Sequence, residues 1–110
     1  MNKAIVIFIT TNTFQEAERI GEKLVDNHLA ACVNVVPGMT SIYRWQGKIC
    51  QEKEFLLIVK TMEDLFSKVK DLVLGLHSYE LPEIISLPVT GGLERYLLWV
   101  EEECKGLEEK

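Results

Sequence analysis

The sequence predicts an α+β fold of order β-α-β-β-α-β with a trailing helix, the split βαβ, ferredoxin-like arrangement on one antiparallel sheet. Three observations predict it. Residues 4–10 form a nearly continuous apolar run, residues 30–61 read as one overlong hairpin, and apolar residues recur at helical spacing in three further stretches. All 110 residues form a single domain, without an internal linker, repeat or low-complexity tract.

The first strand, AIVIFIT at 4–10, is apolar at odd and even positions alike, the mark of a strand covered on both faces. Thr13 with Glu16 reads as a capping box. Ala17, Ile20 and Leu24 then define a first helix ending near Asn27 or His28. The hairpin turns at Gln46-Gly47. Val33, Val35 and, after a break, Ser41, Tyr43 and Trp45 are expected on one face of its outgoing strand, and Phe55, Leu57 and Val59 share a face on the return. Pro37-Gly38 interrupts the outgoing strand, where proline cannot donate to the ladder and glycine permits a bulge. At ~3.3 Å per residue the arm reaches about 50 Å, against about 17–20 Å for a typical strand.

A second helix is expected to open at Thr61 with Asp64, with Leu65, Val69, Leu72 and Leu76 on one stripe flanked by Phe66 and Val73. HSYELPE at 77–83 is too polar and proline-broken to continue it. Residues 84–89 form a last short strand, with Pro88 pointing to a sheet edge. Thr90-Gly91-Gly92 leads into a third helix, with Leu93, Leu97, Val100 and Cys104 on one side and Tyr96 and Trp99 on the other; the tail KGLEEK is solvated. Two helices on one face of the sheet leave the other face apolar and bare. Self-association, with the arm laid on a neighbour, is the simplest way to cover it.

A net charge of -5 and a pI near 5.0 argue against nucleic acid and anionic lipid surfaces as partners. No apolar run approaches the ~20 residues that span a bilayer, and the N-terminus does not read as a secretory leader. Three cysteines, Cys32, Cys50 and Cys104, without CxxC spacing suit neither a disulfide framework nor a structural zinc site, so a reducing cytoplasm is expected.

Four blocks carry a resemblance: LAACVNVVPGMTSIYRWQGKI at 29–49, EFLLIVKT at 54–61, HSYELPEI at 77–84 and YLLW at 96–99. With these blocks at these separations the chain resembles the CutA divalent-cation-tolerance family. The resemblance implies a homotrimer related to the PII signalling architecture and a role in tolerance of copper and other divalent metal ions. His77, Tyr79, Glu80, Pro82 and Glu83 match the family's H-P-Y-E-x-P-E block. Ser78 departs from the usual proline. Ile9 stands where some members carry a cysteine ligand, and Leu76 where a histidine can precede His77.

The metal ligands expected from this block are His77 and Glu80, as imidazole and carboxylate donors that suit copper or another divalent cation. A stable site needs about four ligands, so one chain must borrow from a neighbour or from water. The plain alternative makes His77 a helix C-terminal residue and Glu80 a local ion-pair partner. A second candidate is an intersubunit cleft lined by Tyr43, Trp45, Glu54, Lys60 and Tyr79, able to take a small metabolite or anion in the manner of a PII-like sensor. The alternative there is interfacial packing, in which Tyr and Trp are enriched. Glu54 and Lys60 share a face but lie ~20 Å apart, too far for an acid/base pair within one chain. No GxGxxG, P-loop, GxSxG or HExxH motif is present, and neither an enzyme nor an organic cofactor is expected. A catalyst would have to act at the junction, with Glu80 or His77 as base.

Overall fold

The computed structural model describes residues 2–106. Its elements run β1 Ala4–Thr11, α1 Phe14–Asp26, β2 Cys32–Trp45, β3 Lys48–Met62, a 3₁₀ turn Glu63–Leu65, α2 Phe66–Leu76, β4 Ile84–Pro88 and α3 Glu94–Glu103. The strands pair antiparallel in the order β2-β3-β1-β4, so β4 with its Pro88 is an edge strand, where a missing N–H costs the ladder nothing. The solvated tail expected at 105–110 lies outside the described residues from 107 onward.

Local chemistry sets the boundaries. The Thr13 hydroxyl accepts from the Glu16 N–H at 3.1 Å, capping α1 as its sequence demands. Gln46 and Gly47, at φ 50° and 79°, form the two-residue turn that joins the arm's strands at the pair Trp45–Lys48. Pro37 and Gly38 together oppose Phe55, and Gly38 sits at φ 78°, a left-handed conformation that glycine adopts without strain.

That bulge corrects one expectation. Because β2 carries an extra residue there, Val35 pairs with Leu57 whereas Met39 pairs with Glu54. Paired residues share a face, so Ser41, Tyr43 and Trp45 lie opposite to Val33 and Val35, alongside Glu54, Glu52, Cys50 and Lys48. The second helix also starts later than its sequence suggests. Thr61 pairs with Ile5 in the sheet, its hydroxyl donates to the Leu29 carbonyl at 2.6 Å, and the chain enters α2 through the 3₁₀ turn.

Two faces result. Ile5, Ile7, Ile9, Leu57 and Val59, with Val33 and Val35, meet Ala17, Ile20 and Leu24 of α1 and Val69 and Val73 of α2 in one core. On the other face Val6, Phe8, Leu56 and Ile58 are only half-buried, and Ile85 and Leu87 of β4 are 51% and 44% exposed. The second apolar face expected from β1 and β3 is therefore present, and α1 and α2 both lie on the other side.

Helix α3 rests on one end of the sheet. Val100 packs on Ala31 and Met62 with Ala4 and Cys104 beside it, while Leu93, expected on the same side, is 73% exposed. His28, at φ 57° just past α1, bonds the Glu103 carbonyl at 2.9 Å and ties the end of α3 to the end of α1. The arm leaves from the opposite end, beyond the last β1–β3 pair, Thr11–Phe55, and it stretches the molecule to 48 × 27 × 23 Å.

Candidate functional site

Polar side chains converge where the loop after α2 meets the base of the arm. His77 ends α2, and its side chain is fully buried. Its Nε2 lies 2.6 Å from the Thr10 carbonyl, which only accepts, so Nε2 carries a proton. Its Nδ1 accepts from the Tyr79 N–H at 3.0 Å and sits 3.2 Å from Glu16 Oε2. The same Glu16 carboxylate accepts from the Ser78 N–H at 3.3 Å, and Arg19 donates to the Leu76 carbonyl at 3.1 Å. His77 Nε2 thus ties the loop to β1, and Glu16 and Arg19 tie it to α1.

The locked loop delivers Tyr79 to the sheet. Its hydroxyl donates to Glu54 Oε2 at 2.6 Å, and Glu54 is only 8% exposed. Burial, then the bond to Glu54, pushes the Tyr79 phenol well above its ordinary value. Glu83 closes the loop, and its carboxyl is raised by partial burial and by the nearby Glu54 charge. Further out, the Tyr43 hydroxyl donates to Glu52; this bond, with desolvation and the Glu52 charge, pushes Tyr43 up to about 12. The open face therefore carries a strip of carboxylates and phenols where the arm begins. On the same face Lys60 donates to Asn34.

Of the residues singled out in the sequence, Tyr43, Trp45, Glu54 and Lys60 share this open face, and Tyr79 joins them through Glu54. Glu80 stands exposed in this loop, while the His77 side chain is fully buried and bonds the Thr10 carbonyl. Among the described residues no group of three or more His, Cys, Asp and Glu side chains is placed to hold a metal ion. Glu16 and Glu52 were not anticipated. Glu52 was findable, because the Tyr43–Cys50 pair puts it on the neighbouring diagonal. Glu16 was not, since only the tertiary fold brings α1 to the loop at 77–79.

Among the described residues no helix is long and apolar enough to cross a membrane. A family model described as CutA1 divalent ion tolerance protein matches residues 5–103. The chain is 48% identical over 97 residues to the divalent-cation tolerance protein CutA of Thermus thermophilus, covering 88% of this chain and 94% of that one. It is 38% identical over 102 residues to the chloroplastic protein CutA of Arabidopsis thaliana, covering 93% of this chain and 56% of that one, so it spans little more than half of the plant protein. Among solved structures, the periplasmic divalent cation tolerance protein CutA of Archaeoglobus fulgidus superposes with a TM-score of 0.90 at 41% identity, covering 93% of this chain and 99% of that one.

Proposed function

The chain belongs to the CutA1 divalent ion tolerance family, and from that membership we propose that it acts in the cytoplasm as a non-catalytic homotrimer that binds copper-type divalent cations weakly, through donors that one chain brings only part-way together. The observation that carries the reading is the open sheet face. Its half-buried and exposed apolar side chains need a cover, and the carboxylate strip of Glu52, Glu54 and Glu83 borders them. Closing copies over this face sets carboxylates of one protomer beside loops of the next, where Glu80 is the exposed donor and hard or borderline cations find oxygen ligands. His77 contributes through Nδ1, which means giving up the Tyr79 N–H. Such a cost suits weak, exchangeable binding rather than a permanent centre.

Copper titration of the assembled protein tests this. Glu80→Gln leaves the His77 lock intact and is expected to weaken binding about tenfold, equivalent to ~1.4 kcal/mol. His77→Ala is expected to weaken it similarly and also to lower the melting temperature, because the Thr10 carbonyl and Tyr79 N–H lose their partner. Equal affinity in both variants would remove the loop from the cation site. A PII-like sensor of a small anion is the second reading, favoured by the half-buried Lys60 on the open face. Stabilisation by nucleotides or metabolites in a thermal-shift panel would promote it, and silence across the panel would count against it.

A further inference from the structure

Four polar side chains meet on the open sheet face where α3 ends its cover. Met62 packs with Val100 of α3, and Lys60 is the next residue of β3 on that face. Cys32 stands opposite Lys60 across the β2–β3 ladder, Val6 stands opposite it on β1, and Asn34 lies two residues further along β2. The Lys60 ammonium donates to Asn34 Oδ1, and the Cys32 thiol points at the same oxygen from 3.9 Å. Tyr96 of α3 reaches this thiol as well; burial, then the Cys32 sulfur beside it, raise the phenol.

This cluster is rich in donors and holds no anion of its own. Lys60 only donates, the Tyr96 hydroxyl can turn to donate, and Asn34, whose oxygen is taken, keeps two amide N–H groups for another acceptor. Among the described residues no carboxylate pairs with Lys60. Glu54 shares its face of β3 but stands ~20 Å along the strand. In the lone protomer water reaches the ammonium, because Lys60 is half-buried and Asn34 is exposed. Closing a copy over this face removes that water, and a charge sealed beside a neutral amide alone is destabilising.

We propose that Lys60, Asn34 and Tyr96 form a binding site for a small oxyanion, a carboxylate or a phosphate, held under the covering copy. The proposal rests on the small-anion sensor reading above, and it names the ligand class and the donors. The ammonium has three protons and uses one on Asn34, so an anion takes another without breaking that bond. The new bond is charge-assisted, which the bond to the neutral amide oxygen is only on the donor side. One cation in each chain suits a single carboxylate or phosphate group rather than a polyphosphate. Because the anion supplies the charge that the sealed ammonium lacks, occupancy and assembly strengthen each other.

Melting of the wild-type protein in chloride, acetate and phosphate at equal ionic strength tests this, since matched screening isolates specific binding. Acetate or phosphate is expected to raise the melting temperature above the chloride value, and the more effective of the two identifies the head group. Lys60→Met keeps the apolar stem and is expected to lose the response, with anion binding at least about tenfold weaker by calorimetry. Asn34→Asp supplies the second measurement, because a carboxylate of the chain itself then sits on the ammonium. It is expected to lift the melting temperature in chloride and to abolish the response to added anion. A response that survives in both variants would overturn the proposal and leave the sensor reading standing at another place on the molecule. A carbodiimide link from Lys60 to a carboxylate of another copy would also overturn it, by giving the ammonium a protein partner. A wild type that responds to no anion, nucleotides included, would end both.

Discussion

Ile58→Asp is expected to give a folded protein that no longer assembles. Ile58 pairs with Phe8 and with Asn34, which places it in the middle of the open face. In the lone protomer it is half-buried, so a carboxylate there reaches water, and a surface change of this kind costs little. In the assembly the same carboxylate is sealed against apolar side chains without a counter-charge, at a cost of about 3–5 kcal/mol for each buried charge. At ~1.4 kcal/mol per factor of ten, dissociation rises more than about a hundredfold at each contact. Sedimentation and far-UV circular dichroism check the two halves of this result. A variant that keeps the wild-type mass and melting temperature would place Ile58 outside any interface.

Leu57→Ala, one residue away, is expected to do the reverse. Leu57 is fully buried, pairs with Ile9 and Val35, and faces α1 and α2 in the core. Truncation there leaves a cavity between sheet and helices and is expected to cost the protomer about 2–5 kcal/mol. Because association adds stability by mass action, the comparison belongs in the Ile58→Asp background, where protomer folding is measured without it. Urea denaturation should show a lower midpoint with an unchanged slope. A midpoint that does not move would mean that α1 and α2 do not press on this face. Neighbouring side chains on one strand thus separate folding from assembly, as the two-residue period of a strand requires.

This division was legible in the sequence because β1 and β3 are apolar at consecutive positions, which a sheet covered on one side does not need. Element order, the Gln46-Gly47 turn, the Pro37-Gly38 bulge, the capping box at Thr13 and the edge position of Pro88 were also legible, each through local backbone chemistry. The family was legible in the four blocks from Leu29 to Trp99. The face of the arm was not. Alternation carries Val33 straight on to Tyr43, and only the residue count across the bulge shows that the parity changes. The start of α2 was misjudged because Thr61, a good cap in isolation, is claimed by the ladder to β1 and by the Leu29 carbonyl. At the candidate site, the pairing of Tyr79 with Glu54 and the inward turn of His77 depend on a loop folding back across the sheet, 25 residues from one partner and 67 from the other. Sequence periodicity holds no record of such contacts.

The central claim is that the face bearing Val6, Phe8, Leu56 and Ile58 is covered by identical copies. The mass of the wild-type protein, followed by light scattering through serial dilution to nanomolar concentration, tests it most directly. The expected result is a single species of three chains that persists well below micromolar concentration. A folded species of one 12.6 kDa chain at every concentration would contradict it.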